Sequence, residues 1–516
     1  MRHNLLTTPL IAVPSGDRLS LPEVLAGLVD GRVDGFPELA AHQRHAWHAF
    51  LVQMAGLALH RAGRLEPPAD PEAWRDLLRG LTPDHPDDAP WHLVVTDWSR
   101  PALLQPALPG ATVKSLKGPL AQPDQIDILV TAKNHDVKSA RLARPSPGHW
   151  LFALVSLQTM QGFLGAGNYG IARMNGGFSS RPAVSLVPRD TSGPAAQFRR
   201  DLRVLLATRD DLHVFGYPET GGLALVWLAD WDGAASLPLT GLDPWFIEIC
   251  RRLRLAQRGE DIVAYTGGSK AARIDARMRL GVIGDPWTPV FKKGDPPKAL
   301  TVSAAGFGYH LLWEVLFKGN YAPALMQVPH DGIDDGPVAI LARVLARGQG
   351  VTAGYHERRL PVPDPARNWL LPENRDRVAR VAQRQVEDAD MMITKVLSPA
   401  LLAFRMAGKS GKPSDDDRAW TWPWRDDLDR LIDESFFDLL WQALAAADDH
   451  DGQMIWQRFL KTQAETVLER AFAAAPSVSS RSWRAQAEGG NLFNALLRKS
   501  FPDLAPPRQD QEESAA

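Results

Sequence analysis

The 516-residue sequence predicts an α+β fold: a large, irregular mixed α/β N-terminal domain over residues 1–367, a C-terminal four-helix bundle over 368–505, and a disordered tail over 506–516. Three observations predict it. With 45% hydrophobic and 23% charged residues, this is an ordinary globular composition on a chain long enough for two domains and a large core. Between residues 121 and 365, short β-rich segments alternate with Gly/Pro turns and a few helices, without a steady βαβ rhythm. After "RRLPVPDPARNWLLPEN" the pattern changes to long segments of period 3.6 with few glycines between them.

Taken in order, the chain opens with a strand, then "AAHQRHAWHAFLVQMAGLALH", a helix with Trp47, Phe50, Leu51, Met54 and Leu57 on one side. Asp70-Pro71 reads as an N-cap followed by proline at the first helical position. "IDILV" at 126–130 reads as a strand. "HWLFALVSLQTMQGFL" is a helix with Leu151, Leu154, Val155, Leu157 and Met160 at spacings of three and four, leading into a glycine-rich loop and the strand "AVSLV". The C-terminal helices run from about Arg375 to Met406, with the stripe Val378, Ala382, Val386, Ala389, Ile393 and Val396, and then over about 425–446, 452–474 and 481–500. Short connections make an antiparallel bundle the natural packing. Most of the 17 tryptophans sit on apolar helix faces and read as core.

Within the glycine-rich loop, Gly165-x-Gly167-x-x-Gly170 has the spacing of a dinucleotide-binding turn, with Asp190 twenty residues after the last glycine. That fingerprint requires a strand before the glycines and a helix after them. Here the order is reversed, and Gly176, Gly177 and Pro182 forbid a regular helix downstream, so a nucleotide cofactor is not expected. Five glycines instead let a backbone approach something closely.

The formal net charge of −2 gives no global sign of nucleic-acid binding, and the single cysteine, Cys250, excludes an internal disulfide or a Cys-rich zinc site. "LLTTPLIAV", broken by Pro9, is too short to span a bilayer and lacks a cleavage pattern, so a cytoplasmic protein without a membrane anchor is expected. His42, His45 and His48 drift about 300° and 600° around a helix, so they form no ligand face and read as a solvated surface. "HDG" near Asp451 lacks the ladder of a calcium loop. No nucleophile elbow, Walker loop or HExxH helix is present. No enzyme, metal or cofactor is therefore expected.

Charge is uneven along the chain. Between 251 and 298, Arg251, Arg252, Arg254, Arg258, Lys270, Arg273, Arg277, Arg279, Lys292, Lys293 and Lys298 face Glu260, Asp261, Asp275, Asp285 and Asp295, a local excess of six positive charges. This is the footprint expected of a phosphate-docking surface. "DPWTPVFKKGDPPKAL" places Lys292 and Lys293 before a Gly-Asp-Pro turn, the tip of a hairpin that can enter a groove closed to a helix. "TAKNHDVKSAR" exposes Lys133, Asn134 and Lys138 in a polar, basic segment that reads either as a recognition loop or as plain surface.

Several of these features occur in the order found in CasA, the large subunit of the type I-E CRISPR surveillance complex Cascade. "NLLTTPLIAV" resembles that family's opening, with Leu10 where tryptophan is usual. "NHD" falls at its loop touching the guide RNA handle, "GNYGIARMNGGFSSRPAVSLV" is similar to its glycine loop and following strand, and "TPVFKKG" to its Lys-Lys-Gly hairpin. "GYHERR" at 354–359 resembles the element before its C-terminal bundle. The resemblance implies a non-catalytic subunit of an antiviral ribonucleoprotein complex. It would read the protospacer-adjacent motif (PAM) in double-stranded DNA through Gly167, Asn168, Tyr169, Gly170, Lys292 and Lys293, and begin strand separation for guide RNA pairing. It implies a wedge at Gln349 or Thr352, and handle contacts from Lys133, Asn134, His135 and Lys138. The implied partners are guide RNA, the other Cascade subunits, the target duplex and a helicase–nuclease recruited after binding. Some relatives carry a cysteine cluster near 250–270; here only Cys250 stands. Two alternatives of other classes are a metal-dependent phosphohydrolase using His135 and Asp136, and a scaffold that does not read DNA.

Overall fold

The computed structural model describes residues 1–127, 145–189, 193–348, 351–474 and 480–504. The chain divides into two compact units, Met1–Phe307 with Asn320–Arg367, and Gly308–Gly319 with Asn368–Ala516.

In the first unit, helices α1 (Leu21–Asp30), α2 (Arg44–Arg61), α3 (Pro71–Arg79), α4 (Pro147–Met160) and α5 (Pro194–Ala207) pack about a core rich in tryptophan. Asp70 caps α3 by accepting from the amides of Glu72 and Ala73, and Pro71 occupies the first helical position. Helix α2 lies at the centre, against α3, α4 and α5, and is buried on every side. The histidines expected on a solvated surface are therefore buried. His42 Nε2 lies 3.0 Å from the Asp127 carboxylate, His48 Nε2 lies 2.8 Å from Asp201, and His45 sits between them, only 2% exposed. The helical phase separates the three, but it says nothing about how many faces of a helix its neighbours cover. Of "IDILV", Ile126 and Asp127 lie in a turn rather than a strand, and the remainder is outside the described residues.

Short sheets connect these helices. Strand β1 (Lys117–Leu120) pairs with the hairpin β3 (Arg252–Arg258) and β4 (Asp261–Gly267), while β2 (Ala183–Pro188) follows the glycine loop. A small sheet joins β5 (Val290–Phe291), β6 (Lys298–Ala299) and β7 (Tyr321–Ala322). The longest ladder is the antiparallel hairpin β8 (Val338–Gly348) and β9 (Val351–Val362), with β2 on the far side of β8, Val338 opposite both Val362 and Pro188.

The second unit is helical. α6 (Tyr309–Leu316) packs with α7 (Asp376–Met391), which continues through a π-helical turn, Met392–Leu397, into α8 (Ser398–Met406). Pro399 lacks an N–H and its ring crowds the carbonyl four residues back, so the widened turn falls where an α-helix cannot close. The stripe Val378, Ala382, Val386, Ala389, Ile393 and Val396 is buried throughout. α9 (Trp422–Ala445) packs on α10 (Asp449–Ala473), and α11 (Ser480–Ser500) on α8. Leu428, Ile432, Phe436 and Leu440 line the inner face of α9 at every fourth residue. Tyr309 joins that core, its hydroxyl 3.1 Å from Asp429 and its ring 4.9 Å from Phe436.

Candidate nucleic-acid interface

The loop over 161–182 leaves α4 and enters β2. Gly165 (φ 104°) and Gly167 (φ 86°) take left-handed conformations, and a tight turn closes between them as the Asn168 amide donates to Gly165 O at 3.0 Å. The buried Arg251 guanidinium clamps the loop from beneath by donating to the carbonyls of Tyr169 and, at 3.1 Å, Gly162. Glu248 accepts from the Ala172 amide at 2.7 Å, and Ser269 donates its amide to Gly167 O at 3.0 Å. Asn168 and Tyr169 are half-buried and Ala166 is exposed, so this turn is the accessible part of the loop.

Gly170 has an internal reason to be glycine. A Cβ there would stand 2.6 Å from the carbonyl carbon of Gly162 and 2.7 Å from the amide nitrogen of Phe163, both backbone atoms that cannot swing away. Gly170→Val is therefore expected to cost about 1–3 kcal/mol by overpacking, read as a lower urea midpoint. An unchanged midpoint would mean that the loop opens freely.

Lys292 and Lys293 follow β5 and lie exposed in the hairpin that β6 closes, with Val290 opposite Ala299. The Lys292 amide donates to Asn320 O at 2.9 Å, and the hairpin base is stiffened by Phe291 and Tyr321, whose ring centroids are 5.2 Å apart. The glycine loop touches both hairpins. Asn175 Nδ2 donates to Ala299 O on β6 at 2.9 Å, and Ser180 N donates to Leu345 O on β8 at 3.1 Å. The structure thus brings Gly167, Asn168, Tyr169, Gly170, Lys292 and Lys293 onto elements that abut one another. Thr352 is buried in β9 opposite Arg347. Gln349, the loop residues Lys133, Asn134, His135 and Lys138, and also Asp136 and Asp190, lie outside the described residues.

The expected basic patch is smaller than its charge count. Arg251, Arg252, Arg254 and Arg273 are buried, and they serve backbone rather than solvent. Arg254 donates to the carbonyls of Val95, Arg100, Gln105 and Pro106, Arg252 to Gly268 O, and Arg273 to Ala229 O while lying over the Trp231 ring. Irregular segments leave carbonyls that no sheet satisfies, and a guanidinium with five donors satisfies several at once. Burial pulls Arg254 and Arg273 down to about 10. Seven cations of this stretch are exposed, Arg258, Lys270, Arg277, Arg279, Lys292, Lys293 and Lys298, against four exposed acids, Glu260, Asp261, Asp275 and Asp295. The surface excess is three, half the sequence count. Sequence reasoning missed Arg251, Glu248 and Asn175 as loop-holding residues, because bonds from a side chain to distant backbone leave no periodic trace.

Among the described residues no group of three or more His, Cys, Asp or Glu side chains is placed to hold a metal, and no helix is long and apolar enough to cross a membrane.

An irregular α+β unit carrying a glycine loop between two hairpins, in a chain that ends in a helical unit, defines a recognisable class of fold. It is the fold of CasA, also called Cse1. The chain resembles Thermobifida fusca Cse1 with a TM-score of 0.66 and 16% identity, over 97% of this chain and 98% of that one. Thermus thermophilus CasA gives a TM-score of 0.64 at 15% identity over 96% and 99%, and the CRISPR-associated protein Cse1 from Acidimicrobium ferrooxidans 0.64 at 16% over 98% and 99%. No family model and no curated protein matches the sequence.

Proposed function

We propose that this chain is the non-catalytic large subunit of a type I-E CRISPR RNA-guided surveillance complex, which recognises the protospacer-adjacent motif in duplex DNA and starts strand separation for guide RNA pairing. The observation that carries this reading is the contact of the glycine loop with both hairpins, through Asn175 to the hairpin that bears the two exposed lysines and through Ser180 to β8. Lysine ammonium groups on a narrow hairpin donate to the N3 of adenine and O2 of thymine on the minor-groove floor, and the degeneracy of that pattern suits tolerance of several motifs. The wedge is proposed at Gln349 or Thr352, of which Thr352 is buried in β9. Guide RNA, the other Cascade subunits and a helicase–nuclease complete the proposed partners, in the cytoplasm, with the handle contacts at Lys133, Asn134, His135 and Lys138.

The test is titration of Lys292→Ala and Lys293→Ala, within the reconstituted guide RNA complex, against good and poor motifs at two salt concentrations. The base-reading lysine should cost about 1–3 kcal/mol on good motifs and erase the preference. The phosphate-facing one should weaken all duplexes alike and lower the salt slope by about one unit. Should both variants bind every target like the parent while the subunit stays incorporated, the hairpin is not the reader.

A further inference from the structure

We infer that the turn Arg277-Met278-Arg279 is a second DNA contact, in which Met278 acts as an apolar wedge at a base step while the flanking arginines hold phosphates; this rests on the duplex-reading function proposed above. Met278 is 86% exposed, the most exposed large apolar side chain among the described residues. A single exposed apolar residue needs no explanation. The setting of this one does. Arg277 and Arg279 are both exposed, and neither is ion-paired among the described residues. The backbone beneath them is fixed: Leu280 N donates to Arg277 O at 3.3 Å, Val282 N to Arg279 O at 2.8 Å, and Leu280 is held at φ 47°, a left-handed conformation uncommon for a residue with a Cβ.

That turn is mounted on the elements of the proposed reader. Leu280 O accepts from Ala299 N on β6 at 2.9 Å, one residue from the exposed Lys298. Gly281 is pressed between the Lys hairpin and the glycine loop, where a Cβ would come within 2.6 Å of the Ala299 Cβ and 2.9 Å of Arg173 O. An unbranched thioether between two cations, on a rigid base continuous with a duplex-reading surface, matches the chemistry of minor-groove binders that unstack one step with an apolar side chain and take the adjoining phosphates with arginine. Asp275 is the acid of the same segment, and the two arginines together with Lys298 outweigh it.

The experiment uses the full chain in the reconstituted guide RNA complex and two motif-bearing duplexes, one fully paired and one with a mismatch beside the motif, where the step is already loosened. Met278→Ser should weaken the paired duplex by roughly tenfold and the mismatched one by less than about twofold, because only the paired step has to be opened. Met278→Leu should restore binding. Arg277→Ala and Arg279→Ala should each lower the salt slope by about one unit on both duplexes. Equal loss on the two duplexes, no loss on either, or an unchanged slope overturns the inference, as would a defect confined to subunit assembly. If Lys292→Ala erases motif preference and Met278→Ser does not discriminate the duplexes, this inference alone falls; a parent complex without motif preference removes both.

Discussion

Glu248→Ala should remove about 3–5 kcal/mol from the stability of the N-terminal unit, more than any surface change in this protein, because it strands a guanidinium in the core. Glu248 Oε1 lies 3.1 Å from Arg173 Nη1, with the two side chains 2% and 3% exposed. Arg173 also reaches toward Asp285 at 3.9 Å, and Asp285 accepts from Arg181 at 2.6 Å, so four buried charges balance as two pairs. Removing one carboxylate leaves three, with the excess positive charge far from water. Burial pushes the Glu248 carboxyl above its ordinary value against the pull of Arg173, a sign of how costly this site is for any unmatched ion. The same carboxylate accepts the Ala172 amide, so the glycine loop loses a tether as the fold weakens. Replacing the pair together, Glu248→Leu with Arg173→Met, should recover most of the loss, since well-packed apolar residues of similar volume do as well as a buried ion pair. Urea unfolding of the parent, the single and the double variant decides this. A single variant within about 1 kcal/mol of the parent would show that water reaches the pair and screens it.

Such a network marks where the sequence was legible and where it was not. The C-terminal helices were legible because each buries a stripe against like neighbours, and a stripe is a local property: every residue of the Val378 to Val396 series is buried. The Asp70-Pro71 cap and the helix, glycine loop and strand order were legible for the same reason. The arginine count misled because Arg254 and Arg273 bind carbonyls from segments as far away as Val95, and sequence distance does not encode that. Helix α6 is another long-range case, since Tyr309 finds Asp429 across 120 residues. The two-residue strands β5, β6 and β7 are too short for any alternation to appear. The lysine hairpin was found from its turn chemistry alone, Gly-Asp-Pro after paired lysines.

His45 supplies the other large effect, and its sign follows from where it is buried. The ring stacks on Tyr355 with centroids 6.2 Å apart, and its charged neighbours Arg343, His42 and Arg181 are cationic. Burial first, then Arg343, His42 and Arg181, pull it from the ordinary 6.5 down to about 3. A histidine whose folded-state value is lowered stays neutral in the fold while the unfolded chain takes up a proton. Its penalty is therefore absent above pH 6.5, grows as pH falls, and is complete near pH 3. The shift corresponds to about 5 kcal/mol at full extent, of which about 3 kcal/mol develops by pH 4. His45→Leu keeps an apolar body of similar size and removes the proton site. It should lie close to the parent near pH 7 and become the more stable protein on the acid side, with the gap widening by about 1.4 kcal/mol per pH unit between pH 6 and 4. Parallel stability curves for the two proteins over that range would mean that water or a local opening solvates the ring, and that the centre of α2 is not sealed.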